Sequence, residues 1–76
     1  MQAPQIEQMI LAGLPGANVE VKGDDGVHFE AVVVAEAFRG KSILEQHRMV
    51  YGTLGDNVET AAIHAIALKT RVPETS

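Results

Sequence analysis

"FRGKSILEQHRMVYG", residues 38–52, is the stretch whose reading decides the fold. Gly40-Lys41-Ser42 is either the end of a phosphate-binding loop or the start of a helix. A P-loop needs another glycine five residues before its Gly-Lys, so that successive N–H groups can wrap a phosphate. That position is Ala35, and the residues between are "EAFR", so the match fails. Ser42 with Glu45 three residues on fits a capping box instead: the hydroxyl accepts from the N–H of residue 45, and Glu45 reaches back to the N–H of Ser42. Gly40 lets the chain turn off the strand before it, and Lys41 gives the helix start a secondary capacity for anions.

Downstream, Ile43, His47, Val50, Tyr51 and Leu54 fall at i, i+4, i+7, i+8 and i+11, which predicts a helix with that stripe as its buried face. His47, inside the stripe, is expected to be a buried, hydrogen-bonded structural residue. The helix runs out at "GTLG", residues 52–55, which superficially matches the GXXG clamp of KH nucleic-acid-binding domains. Leu54 belongs to the apolar stripe, so the match reads better as a helix C-terminus with Gly55 as an αL cap.

Upstream, Pro4 suits a first helical position, and Ile6, Met9, Ile10 and Leu14 recur at helical spacing until "LPG" at 14–16 stops the helix. "NVEVKG" alternates Val19 and Val21 with Glu20 and Lys22, the pattern of a half-buried strand. "GDDG" at 23–26 is a turn, and "VHFEAVVVA" puts Phe29, Ala31 and Val33 on one face, so the two strands form a hairpin. After the central helix, "GDNVETAA" is a turn with a short helix capped by Asp56, and "IHAIALKT" is the last strand. The predicted order is α-β-β-α-(short helix)-β. A helix joins the second strand to the third, so those two can lie parallel by a right-handed crossover. The expected architecture is α/β (α+β): a three-stranded mixed sheet with helices on one face, in a single domain over 1–76, with 1–4 and 72–76 frayed.

The 76 residues contain no cysteine, so no disulfide and no thiolate ligand can support the small core, and three histidines are the remaining soft-metal ligands. A net charge of −4 argues against strong non-specific nucleic-acid binding, which is driven by phosphate neutralisation. "MQAPQIEQMI" has neither a charged n-region nor a long apolar h-region, and no run approaches the length of a membrane span. A cytoplasmic protein without a membrane role is expected. Catalysis has little support: Ser42 is used as a cap, no base is placed near it, and Asp24-Asp25 are turn residues that rarely converge.

Across residues 6–74 the chain resembles the BolA-like proteins, most closely their short IbaG-type subgroup. The resemblance is carried by His28-Phe29 at the second strand, Phe38-x-Gly40, His47-Arg48-x-Val50-Tyr51, and Ile63-His64-Ala65. It implies a class II KH-like fold. It also implies a non-catalytic adaptor that pairs with a monothiol glutaredoxin and shares a [2Fe-2S] cluster with it, in iron–sulfur trafficking or iron- and stress-responsive regulation. Glutaredoxin and glutathione would supply the sulfur ligands and His64 an imidazole, with no cluster held by this chain alone. The second ligand in the family comes from the loop between the first two strands. Here that loop has no cysteine, Val27 stands where some relatives carry the ligand, and His28 is the remaining candidate. Strand parity points His28 away from the core, whereas His64 shares parity with Ile66 and Leu68, so the two converge only if one strand end twists. Arg48, Tyr51 and Lys41 are the expected partner-binding residues, on a chain that is a monomer or weak homodimer by itself. The alternative is a DNA-binding transcriptional regulator using Lys41, Arg48, Lys69 and Arg71.

Overall fold

Strand formation follows the alternation of apolar residues closely. In the computed structural model, which describes residues 2–23, 28–55 and 65–74, Asn18–Lys22 form β1 and His28–Val34 form β2. They pair antiparallel from Asn18↔Val34 to Lys22↔Glu30. Ala65–Arg71 form β3, parallel to β2 from His28↔Ala65 to Val34↔Arg71. The sheet order is β1-β2-β3, the expected mixed sheet. Val21, Phe29, Ala31 and Val33 are buried on one face, with Ile66 and Leu68 of β3 packed partly against the same core. The other face carries Glu20, Lys22, His28, Glu30, Ala67, Lys69 and Arg71, all exposed.

Two helices cover the buried face. Helix α1, Ala3–Gly13, begins where the Gln2 N–H donates to Gln5 Oε1 at 2.7 Å, and it buries Ile6 and Ile10 completely. Ala3 and Pro4, expected among the frayed ends, are therefore helical, and Pro4 sits one residue inside the first helical position. The Leu14 N–H closes α1 on the Ile10 carbonyl at 2.8 Å, and Gly16 takes the positive φ of 85° that turns the chain into β1. Helix α2 spans Ile43–Leu54. Between β2 and α2 lies a 3-10 turn that sequence periodicity misses, Glu36–Phe38, which drives Phe38 wholly into the core. Its Glu36 is bonded by the Arg39 guanidinium through two contacts, Nη2 to Oε2 at 3.0 Å and Nε to Oε1. That contact holds the Glu36 carboxyl below its ordinary value. Gly40, with φ 80°, then reverses the chain toward α2.

The predicted buried stripe of α2 is corrected by the structure. The core row is Gln46, Val50 and Leu54, at i, i+4 and i+8. Ile43 and Leu44 are 59% and 60% exposed, and Tyr51 is 36% exposed. His47, expected to be buried, is half-buried. The helix can roll this way because the polar member of the inward row is fully bonded. Gln46, 6% exposed, donates through Nε2 to the Lys41 carbonyl at 2.9 Å and accepts the Thr70 hydroxyl at Oε1 at 2.7 Å. A buried amide with both ends paired avoids the desolvation cost that would otherwise turn it outward.

Helix α2 ends at Gly55, whose φ is positive at 58° as expected, but whose ψ of −136° lies outside the αL region assigned from sequence. That combination is open to glycine almost alone. Val72, expected in a frayed tail, is partly buried against the core, and the Arg71 carbonyl accepts from the Ala35 N–H at 3.1 Å. The short helix expected after Asp56, and the centre of the "GDDG" turn, lie outside the described residues.

The two rows of α2 should separate in stability measurements. Leu54→Ala should cost about 2–5 kcal/mol, as expected for a fully buried leucine, while Ile43→Ala should stay within about 0.5 kcal/mol of the parent. Urea denaturation of the two variants checks the assignment.

Candidate functional site

The start of α2 is built as the sequence indicates. Ser42 Oγ accepts from the Glu45 N–H at 3.1 Å, and the Ser42 N–H donates to Glu45 Oε1 at 3.3 Å. Gly40-Lys41-Ser42 is therefore a helix cap. The hydrogen bonds from Ser42, first the backbone N–H and then the hydroxyl, hold the Glu45 carboxyl below its ordinary value, with attraction from Lys41 and Arg48 adding to the shift. At the other end of α2, the middle residues of "GTLG" are turned inward. Leu54 is fully buried, and the Thr53 hydroxyl donates to the Val50 carbonyl at 2.6 Å. That arrangement cannot present a phosphate clamp of the KH type.

The candidate ligand residues lie at the hairpin end of the sheet. His28 opens β2 on its exposed face, as parity predicts, and is in register with Ala65, the first residue of β3. It lines an open hollow with Lys22, Gly23, Phe29 and Glu30. Gly23 is confined there: a Cβ on it would lie 2.5 Å from Phe29 Cδ1 and 2.7 Å from the His28 carbonyl oxygen. His64, the residue before Ala65 in sequence, lies outside the described residues, as does Val27. Among the described residues no group of three or more His, Cys, Asp or Glu is placed to hold a metal ion. In a chain without cysteine, an exposed imidazole can complete a site whose other ligands another molecule supplies; it cannot make one alone.

The candidate partner-binding residues lie on α2. Arg48 and Lys41 are exposed, and Tyr51 stands between Arg48 and the half-buried His47 on the helix surface. Leu44, beside Arg48 and Tyr51 in sequence pattern, joins them, as does Ile43, which the sequence reading placed in the core, so this surface mixes exposed apolar and cationic groups. Lys69 and Arg71, the other two candidate cations, lie on the open face of the sheet, so the structure divides the four between two layers. Lys22 pairs with Glu20 at 3.3 Å and Arg39 pairs with Glu36. Lys41, Arg48, Lys69 and Arg71 make no ion pair among the described residues. Gln46 is the structurally decisive polar residue that sequence reasoning missed; its spacing from Val50 and Leu54 was the available signal.

The family model for BolA-like proteins matches residues 15–75. The acid stress protein IbaG of Escherichia coli K12 is 33% identical over 73 residues, covering 96% of this chain and 86% of that protein. The DNA-binding transcriptional regulator BolA of the same strain is 44% identical over 43 residues, covering 57% of this chain and 40% of that one. A solved structure of a BolA homologue from Coxiella burnetii superposes with a TM-score of 0.83 at 42% identity, over 96% of this chain and 92% of the other.

The cap makes the stability of α2 depend on acid. The Glu45 carboxyl titrates below its ordinary 4.5 when folded. Its contribution is therefore complete above the unfolded value and is lost as the pH falls through the folded one. Ser42→Ala should cost about 1 kcal/mol at neutral pH. Glu45→Gln should flatten the loss of helical circular dichroism on acidification from roughly pH 5 downward.

Proposed function

The chain belongs to the BolA-like protein family, and we propose that it is a non-catalytic cytoplasmic adaptor that binds a monothiol glutaredoxin and shares a [2Fe-2S] cluster with it. The observation that carries this reading is the register His28↔Ala65, which sets an exposed imidazole beside the strand end that follows His64 in sequence. Residues 64 and 28 are the imidazole donors of this proposal, His64 first. Glutaredoxin and glutathione supply thiolates, which a cysteine-free chain cannot. The role of this chain's residues is to offer neutral nitrogen donors at one end of a rigid sheet and to hold the partner against α2 through Lys41, Arg48 and Tyr51. The cluster is cargo in iron–sulfur trafficking or in iron- and stress-responsive regulation.

A second reading is supported by the relative named as a DNA-binding transcriptional regulator and by the four cations that make no ion pair among the described residues. In it, Lys41, Arg48, Lys69 and Arg71 contact a nucleic-acid backbone. Their division between two layers, and the net charge of −4, place it behind the first.

Anaerobic mixing with a cluster-loaded monothiol glutaredoxin tests the first reading. Visible circular dichroism should change on mixing. His64→Ala should abolish or strongly alter that change, and His28→Ala should alter it less. A spectrum indifferent to both substitutions removes this chain's imidazoles as ligands. For the second reading, DNA binding at low salt should be measurable and should fall steeply as salt rises, with a log–log slope of roughly −0.9 per phosphate contacted. No binding at low salt rules it out.

A further inference from the structure

We propose that the outer edge of β3, beneath the exposed flank of α2, is a docking groove for an extended protein segment with alternating acidic and apolar residues. The segment would add to the sheet as a fourth strand. This deepens the partner-docking half of the proposed function and rests on that half alone, not on the cluster.

The geometry follows from how α2 is rolled. Thr53 lies against α1: a Cβ on Gly13 would come within 2.4 Å of Thr53 Cγ2. Gln46, Val50 and Leu54 face the sheet, Gln46 reaching Thr70 of β3. Around the helix in the same sense come His47, Tyr51 and Leu44, on the side away from α1, while Ile43 shares the azimuth of Val50 and Leu54 and is exposed as the first residue of the helix. In the order β1-β2-β3, α1 packs on β1 and α2 on β3. The flank away from α1 therefore overhangs the outer edge of β3, with Leu44 more than half exposed.

Among the described residues, no strand or backbone hydrogen bond occupies the outer edge of β3. In a strand each residue turns its N–H and C=O to one edge, and successive residues alternate edges. The Arg71 carbonyl bonds the Ala35 N–H on the β2 side. Arg71, Lys69 and Ala67 thus direct their peptide groups to β2, and Ile66, Leu68 and Thr70 direct theirs outward.

The charges name the occupant. Lys69 and Arg71 stand on the open face beside this edge and make no ion pair among the described residues, in a chain of net charge −4. An added strand alternates its side chains between the faces. Acidic residues would lie against Lys69 and Arg71, and apolar ones under Leu44, His47 and Tyr51. Recognition by strand addition draws affinity from main-chain hydrogen bonds and selectivity from alternate side chains. A second copy of this chain is the wrong occupant, because two-fold pairing of β3 with itself opposes two rows of Lys69 and Arg71.

The test is an NMR titration of the ¹⁵N-labelled full chain with a capped Glu-Val alternating peptide of about eight residues, the length of a strand, and with a Lys-Val peptide as control. Glu-Val binding should slow hydrogen exchange at Leu68 and Thr70, and the Lys-Val peptide should not bind. The Lys69→Glu/Arg71→Glu double variant, altered only at exposed positions, should bind Glu-Val at least tenfold more weakly and now accept Lys-Val. His64→Ala should bind Glu-Val as the parent does, which separates this result from the fate of the cluster proposal. The inference is overturned by no Glu-Val binding, by binding without protection of Leu68 and Thr70, by indifference to charge reversal, or by a dimer that already protects those amides.

Discussion

Strand β2 is the constraint on which the rest depends. It bonds a neighbour on each side and divides its residues strictly, Phe29, Ala31 and Val33 inward, His28 and Glu30 outward. A slip of one residue would send His28 and Glu30 into the core and expose Phe29. The burial of three apolar side chains thus fixes both pairings at once. It sets Lys22 opposite Glu30 on one side and His28 level with Ala65 on the other. The position of the candidate ligand therefore follows from the burial of its strand neighbours.

Helix α2 serves two environments with one sequence. Its apolar residues cover more of its circumference than the sheet and α1 can bury, so Val50 and Leu54 go inward while Leu44 and Tyr51 remain at the surface. Gln46 decides the division. With its amide shared between the Lys41 carbonyl and the Thr70 hydroxyl, it ties the cap, the helix and β3 together. One buried polar residue thereby converts what looks like surplus core into an exposed apolar flank beside a strand edge. In this acidic chain, Lys22 and Arg39 are paired on the surface among the described residues, and the other four cations stand next to the flank or the edge. Surface ion pairs contribute little to stability, so their consequence lies in which cations remain available to another molecule.

The amino-acid sequence by itself determined the strands, the hairpin, the crossover and the cap of α2, because each rests on local physics: period-two burial, glycine turns, and a serine–glutamate pair three residues apart. It also determined the absence of thiolate ligands and the outward direction of His28. Tertiary structure decided what local pattern cannot encode. The roll of α2 depended on which polar residue could find partners on a distant strand, so Gln46 went in while His47 and Tyr51 turned toward the surface. The wedge of Phe38 came from a 3-10 turn too short to show a period. The separation of Lys69 and Arg71 from Arg48 by a layer of core followed from sheet order, which places residues far apart in sequence on opposite faces of one small domain.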